Sequence, residues 1–244
     1  MIRNIKLTVS YDGSKFSGWQ RQKDRRSVQE ELNKAINKVT RRQTRVISAG
    51  RTDAGVHALG QVVNFLTTIN SPASAIKHQL EPFLPDDIVV IASEEVDLNF
   101  HSRFSAKKKT YRYLLNNAEP FYPMYRDYKE HVRYELDVDK MREAASYFIG
   151  RHDFKAFMKY GADINTVRHI EKIDIFTKKD DVILEFTAES FLHNQIRIMV
   201  GALVDVGRGK YEPDHIKDLL EEKNRLKAGK TYPSRGLYLV KIEY

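Results

Sequence analysis

Ile5-Lys6-Leu7-Thr8-Val9-Ser10, then after a glycine-containing loop Ser27-Val28-Gln29-Glu30-Glu31-Leu32-Asn33-Lys34-Ala35-Ile36-Asn37-Lys38-Val39, decides the fold. The first stretch alternates apolar with polar residues, the period of a strand with one buried face. The second sets Val28, Leu32, Ala35, Ile36 and Val39 on one helical face. Ser27 with Glu30 three residues on has the form of a capping box, which predicts a helix from there to about Thr40. Outward from this pair, Val46 to Ala49 reads as a short strand and Gln61 to Leu66 as another. Ala73 to about Glu81 reads as a helix ending near Pro82, and Ile88 to Val96 as a strand. Strand, helix, strand, strand, helix, strand is the order of a ferredoxin-like split βαβ unit.

The second half runs through nearly the same order. Lys108 to Leu115 reads as strand, and Asp137 to Ile149 as a helix with Met141, Ala145 and Phe148 facing inward. Thr166 to Thr177 and Val182 to Ser190 read as strands meeting at a Lys179-Asp180-Asp181 turn. Leu192, Ile196, Met199, Val200 and Leu203 mark a buried helix, Pro213 suits the first turn of a short one, and Leu237 to Tyr244 closes the chain as a strand. The expected fold class is α+β: two tandem ferredoxin-like units, 1–105 and 106–244, whose antiparallel or mixed sheets join and leave an active-site cleft between them. The duplication is one of architecture, since no repeat appears in the residues and no low-complexity linker separates the halves.

Composition narrows the chemistry. With 244 residues, 41% hydrophobic and 30% charged, the chain has material for a real core and excludes disorder or a fibrous repeat. Its longest apolar stretch, Ile198 to Val204, lies between Arg197 and Asp205 and falls far short of the ~20 residues of a membrane-spanning helix. Met1 to Lys6 carries no hydrophobic signal core, so a cytoplasmic protein away from membranes is expected. The absence of cysteine excludes disulfides, thiolate nucleophiles, iron–sulfur clusters and cysteine zinc sites. A net charge of +8 favours a polyanionic partner.

Three groups of residues can carry function. Ser48-Ala49-Gly50-Arg51-Thr52-Asp53-Ala54-Gly55-Val56-His57-Ala58 packs an acid, a base and two glycines into a short inter-strand loop, the usual place for functional side chains. The bland alternative is an Asx-type turn, with Asp53 bonding its own backbone. Phe100 to Tyr113 interleaves cations with aromatic rings, as nucleic-acid binders do, or else forms a strand edge protected by lysines. Arg21, Lys23, Arg25 and Arg26, with Lys34, Lys38, Arg41, Arg42 and Arg45, make either a phosphate track or a solvated face. His152 and His193 lack the partner spacing of metal ligands, so hydrogen bonding or capping is the default for both, and no metal is expected.

At these residues the chain resembles the bacterial tRNA pseudouridine synthase A family, the tRNA uridine-38/39/40 isomerases. The resemblance covers nearly the whole chain. It runs through Tyr11-Asp12-Gly13, Gly18-Trp19-Gln20-Arg21-Gln22, Ser27-Val28-Gln29, Gly50 to Ala58 and Gly60-Gln61-Val62. It continues through Phe100 to Phe104, Tyr111-Arg112-Tyr113, Gly150 to Phe157, Phe191 to Gly201 and Gly236-Leu237. The resemblance implies cofactor-free isomerisation of uridine to pseudouridine in the anticodon arm of tRNA, by a homodimer whose subunits are bridged by RNA. It implies that Asp53 is the indispensable acid, Tyr111 the active-site tyrosine and Arg197 the partner of Asp53. Arg51 would take the place of the extruded base, and Leu237 would be an apolar wall beside the uracil.

The implied chemistry suits these side chains. The N1–C1′ bond breaks, the uracil turns while held, and C5 bonds to C1′, which one carboxylate can serve without metal or redox centre. Asp53 can attack C1′ or the base, or remove the 2′ proton to give a glycal, and the residues do not choose among these. A guanidinium beside a carboxylate favours its ionised form, and Tyr111 offers a ring to stack on uracil and a phenol to carry the C5 proton. Flipping the target base costs a few kcal/mol, and Arg51 can fill the gap. Arg21, Arg25, Arg26 and Arg42 are the expected phosphate contacts. Tyr232 before Pro233, Lys230 in place of a proline, and Glu130 in place of an aromatic depart from the family pattern and leave the choice of uridine open. Two other classes stay in view: an RNA-binding or RNA-folding module in which Asp53 is structural, and a metal-dependent nuclease.

Overall fold

The computed structural model describes residues 1–159 and 164–244 as two compact units. The first comprises Met1–Lys107 with Tyr238–Tyr244, and the second Lys108–Leu237. Both are mixtures of helix and sheet, so the chain is α+β. No helix among the described residues is long and apolar enough to cross a membrane.

In the first unit, β1 (Arg3–Tyr11) lies between β4 (Ile88–Val96) and β3 (His57–Thr67), antiparallel to both. Ile5, Leu7 and Val9 are fully buried, as their alternation requires. The other edge of β3 is shared: β2 (Ile47–Ser48) pairs antiparallel with Asn64 and Val63, while β10 (Leu237–Glu243) pairs parallel at His57 and Ala58. The last strand, which sequence continuity assigns to the second half, thus completes the sheet of the first. Its hydrogen-bonded register sets Tyr238 against His57 and Leu239 against Ala58.

Helix α1 (Val28–Thr40) buries Val28, Leu32, Ala35 and Ile36 completely, and each large apolar side chain so buried contributes roughly 1.5–3 kcal/mol. Its N-terminus corrects the expected capping box. Ser27 makes no side-chain cap, and its hydroxyl is buried without a partner. Backbone carbonyls have taken over: Val28 N–H donates to Gly18 O at 3.3 Å and Gln29 N–H to Trp19 O at 3.0 Å. The glycine-containing loop therefore caps the helix. Residues 73–83 form one α-helical turn, α2 (Ile76–Leu80), between two 3-10 turns, the second holding Pro82.

In the second unit, β5 (Lys108–Asn116), β9 (Asp181–Ala188), β8 (Val167–Lys178) and β7 (Gly150–Asp153) pair antiparallel in that order, with β6 (Glu130–His131) parallel to the end of β5. The β8–β9 turn is the expected one, with Lys179 at φ 54°. Helix α3 (Val138–Ser146) is capped by Asp137, whose carboxylate accepts from Lys140 N–H, and it lies against α4 (Gln195–Gly207). Helix α5 (His215–Glu222) begins two residues after Pro213.

Candidate functional site

The loop carrying Arg51 and Asp53 joins β2 to β3 in the first unit, and its shape is imposed by the loop after β1. Trp19 N–H donates to Thr52 O at 3.0 Å, Gly55 N–H to Phe16 O at 3.3 Å, and Gln61 Nε2 to Gly50 O at 2.9 Å. Thr52 Oγ1 lies 2.8 Å from the Tyr11 hydroxyl, whose pKa burial pushes up to about 12. Trp19 is 1% exposed beneath. Two glycines permit the close approach. A Cβ on Gly13 would stand 2.0 Å from Val56 O, and one on Gly18, at φ +98°, 2.8 Å from Thr52 O. Within the loop Val56 N–H returns to Asp53 O at 3.2 Å. Asp53 is partly exposed and Arg51 exposed, on a backbone anchored at both ends. The motifs around Tyr11, Trp19 and Asp53, separate in sequence, are one cradle. Tyr11, Trp19 and Gln61 as its supports escape a reading of the sequence, although Gly13 and Gly18 signal a close backbone approach.

His57, at the loop's exit, is 2% exposed and stacked on Tyr238, with ring centroids 4.6 Å apart and planes at 19°. Its Nδ1 accepts from Gly13 N–H at 3.1 Å and lies 3.2 Å from Asp12. This imidazole locks the cradle to the last strand.

A groove of about 1110 Å³ runs along the same unit between residues 20–26, one face of α1 and residues 43–45. Arg21, Lys23, Arg25, Arg26, Lys34 and Arg45 line it. Arg21 and Arg25 are exposed, Arg21 reaching Glu30 at 3.7 Å. Arg26 is different: its guanidinium grips Asp87 through bonds of 2.6 and 2.8 Å, which raise its pKa, and lies 4.1 Å over the Phe16 ring. It fastens the loop. Arg42 follows the left-handed C-cap residue Arg41 and is not part of the groove lining, where Arg45 stands instead.

The remaining predicted residues belong to the second unit. Tyr111 on β5 is 9% exposed and meets Phe191 edge-on at 5.4 Å. Tyr113, two residues on and on the same strand face, is fully buried. Arg197 stands in the first turn of α4. Its Nε donates to Tyr232 O at 2.6 Å and its Nη1 to Asn194 Oδ1 at 3.0 Å, while Tyr232 N–H donates back to Arg197 O at 3.0 Å. Gln195, fully buried, accepts from Leu192 N–H at 2.8 Å. His152 Nε2 bonds Ile149 O at 2.9 Å, the hydrogen-bonding role expected of it.

The three departures from the family pattern cluster around the segment that leads to Leu237. Tyr113 donates its phenol to Pro233 O at 2.7 Å, and Glu130 accepts from Arg235 Nε at 2.6 Å. Burial, then Glu130, holds the Tyr113 pKa well above the usual phenol value and pushes Tyr232 up to about 12. Tyr232 meets Tyr113 edge-on at 6.2 Å and has Lys230 Nζ 5.7 Å over its ring. Its backbone is what holds Arg197. Leu237, 6% exposed, follows shortly after.

The basic and aromatic run divides. Lys108 pairs with Glu171 and Arg112 with Glu185, as a protected strand would have it. Phe104, by contrast, is 75% exposed.

The first unit thus presents a cradled acidic loop and a basic groove, and the second a strapped arginine. The sequence profile of the tRNA pseudouridine synthases matches residues 7–105 and 144–244, and the chain belongs to that family. It is 48% identical to the tRNA pseudouridine synthase A of Finegoldia magna and 46% identical to that of Thermoanaerobacter sp. (strain X514), over all 244 residues and the full length of each relative. Among solved structures, an archaeal box H/ACA sRNP Nop10–Cbf5 complex aligns with 94% of this chain and 58% of its own, at 13% identity and a TM-score of 0.37.

Proposed function

We propose that this chain converts uridine to pseudouridine in the anticodon arm of tRNA, at positions 38, 39 and 40, with Asp53 as the essential group. The observation that carries the reading is the Asp53 loop, held by Tyr11, Trp19 and Gln61, in a chain 48% identical over its full length to a tRNA pseudouridine synthase A. In this reading Arg197 partners Asp53, Tyr111 stacks on the uracil and serves the C5 proton, Leu237 walls the base, and Arg51 fills the gap it leaves. The bond changes are an internal rearrangement, so no cofactor or metal is assigned. A tRNA substrate sets the work in the cytoplasm. Incubating tRNA transcripts with the protein in EDTA and mapping pseudouridine tests the reading. Product in EDTA is expected; RNA binding without product on any transcript would leave a binding module instead.

Arg21, Arg25 and Arg45 are the phosphate contacts proposed in the groove. Arg21→Glu with Arg25→Glu is expected to weaken tRNA binding at least about tenfold and to lower the slope of log affinity against log salt by about one for each phosphate no longer neutralised. Arg26→Glu should instead lower the melting temperature, because it breaks the grip on Asp87. An unchanged salt slope in the double variant would refute the phosphate track.

The working form is proposed to be a homodimer bridged by RNA. Light scattering should return about twice the 28.4 kDa chain mass. A monomer with and without tRNA would refute it.

A further inference from the structure

The turn at His101 to Ser105 is pinned from below. Ser102 is fully buried, its N–H donating to Asn64 Oδ1 at 3.0 Å and its hydroxyl to Ile47 O at 2.7 Å, while Tyr244 donates its phenol to Ser102 O at 2.8 Å. Asn4 Nδ2 holds the carbonyls of Asp97 and Phe100 at 3.0 and 2.9 Å. Within the turn, His101 Nδ1 accepts from the N–H groups of Arg103 and Phe104 at 3.2 and 3.3 Å, and Ser105 N–H returns to His101 O at 2.9 Å. All these bonds lie within the first unit.

On this fixed base stands a ring 75% exposed. Phe104 contacts the His101 imidazole at 4.4 Å, and the Arg103 guanidinium lies 5.5 Å over the same ring. An exposed phenylalanine gains nothing from water, and one already held in place loses little freedom on binding. Its flat face suits an unpaired base, which stacks regardless of sequence, and the adjacent guanidinium suits the phosphate of the same nucleotide. A contact between copies of the chain would need about 800 Å² of matched surface on each partner, and Phe104 is flanked in the chain by the exposed cations Arg103 and Lys107.

We propose that His101, Arg103 and Phe104 form a stacking site for an unpaired nucleobase of the RNA substrate, apart from the uridine being isomerised. The proposal rests on the tRNA-modifying function above.

Phe104→Trp places an indole on the site, and the signal of the chain's own tryptophan, Trp19, 1% exposed in the cradle, is subtracted by titrating the parent in parallel. Titration with an unmodified tRNA transcript is expected to quench the added emission in step with binding. Phe104→Ala should weaken tRNA about tenfold with an unaltered salt slope and melting temperature, whereas Phe104→Tyr should keep parental affinity. Phe104→Ala binding within about twofold of the parent, or an indole whose emission ignores the RNA, would overturn the site. So would a Phe104→Ala protein that falls to half the parental mass in light scattering, which would mark a contact between copies. These failures are distinguishable from failure of the function itself, because the parent would still form pseudouridine and Asp53→Asn would not.

Discussion

Asp53→Asn is expected to slow single-turnover pseudouridine formation at least about a thousandfold, ~4 kcal/mol of transition-state stabilisation, while tRNA affinity stays within about threefold of the parent. Asparagine keeps the size of aspartate and much of its hydrogen bonding but can act neither as nucleophile nor as base. The bonds that tie the loop down through backbone groups of Gly50, Thr52 and Gly55 and through the Thr52 hydroxyl stay in place in the variant. Fold and groove should therefore persist while chemistry disappears. Tritium release from C5-labelled uridine in tRNA measures the rate, and filter binding the affinity. A rate within about tenfold of the parent, ~1.4 kcal/mol, would return Asp53 to the role of a turn residue.

Gly13→Ala is the second large effect. The new methyl would sit 2.0 Å from Val56 O, 2.5 Å from the carbonyl carbon and 3.0 Å from the amide nitrogen of the same residue, all backbone. No flexible side chain can yield. Either residues 12–14 or the exit of the Asp53 loop must move, and Gly13 N–H must give up its 3.1 Å bond to His57. Overpacking of this kind costs about 3 kcal/mol, which lowers the melting temperature by roughly 6–12 °C in a protein of this size. Activity should fall further than stability, because the displaced segment bears the acid. Calorimetry with single-turnover rates checks both, and a variant that melts and turns over like the parent would show that the two loops are not rigidly joined.

What can be read from the residues is what repeats locally. Ile5, Leu7 and Val9, or Val28, Leu32 and Ile36, announce their elements because burial follows the period of the backbone. Gly150-Arg151-His152-Asp153 has no such pattern, and β7 forms only because β8 offers it a partner. The Ser27 cap misleads for a related reason: the Gly18 and Trp19 carbonyls that reach the helix N–H groups come from an irregular loop. Asp53 is legible as a motif, but Tyr11, Gln61, Tyr113 and Asn194, which shape or hold the site residues, act through tertiary contacts that no spacing encodes. Arg26 looks like its neighbours in the sequence, and its partner Asp87 lies 61 positions away.

The placement of β10 has a consequence for how the molecule is made. His57, four residues beyond Asp53, finds Tyr238 beside it only after residues 108–237 have been synthesised. At about 5–20 residues per second, the first unit waits roughly 6–26 seconds on the ribosome with one edge of β3 unpaired near its acid-bearing loop. Until the strand bearing Tyr238 docks, a nascent protein has the cradle for its acid without the ring that fastens it.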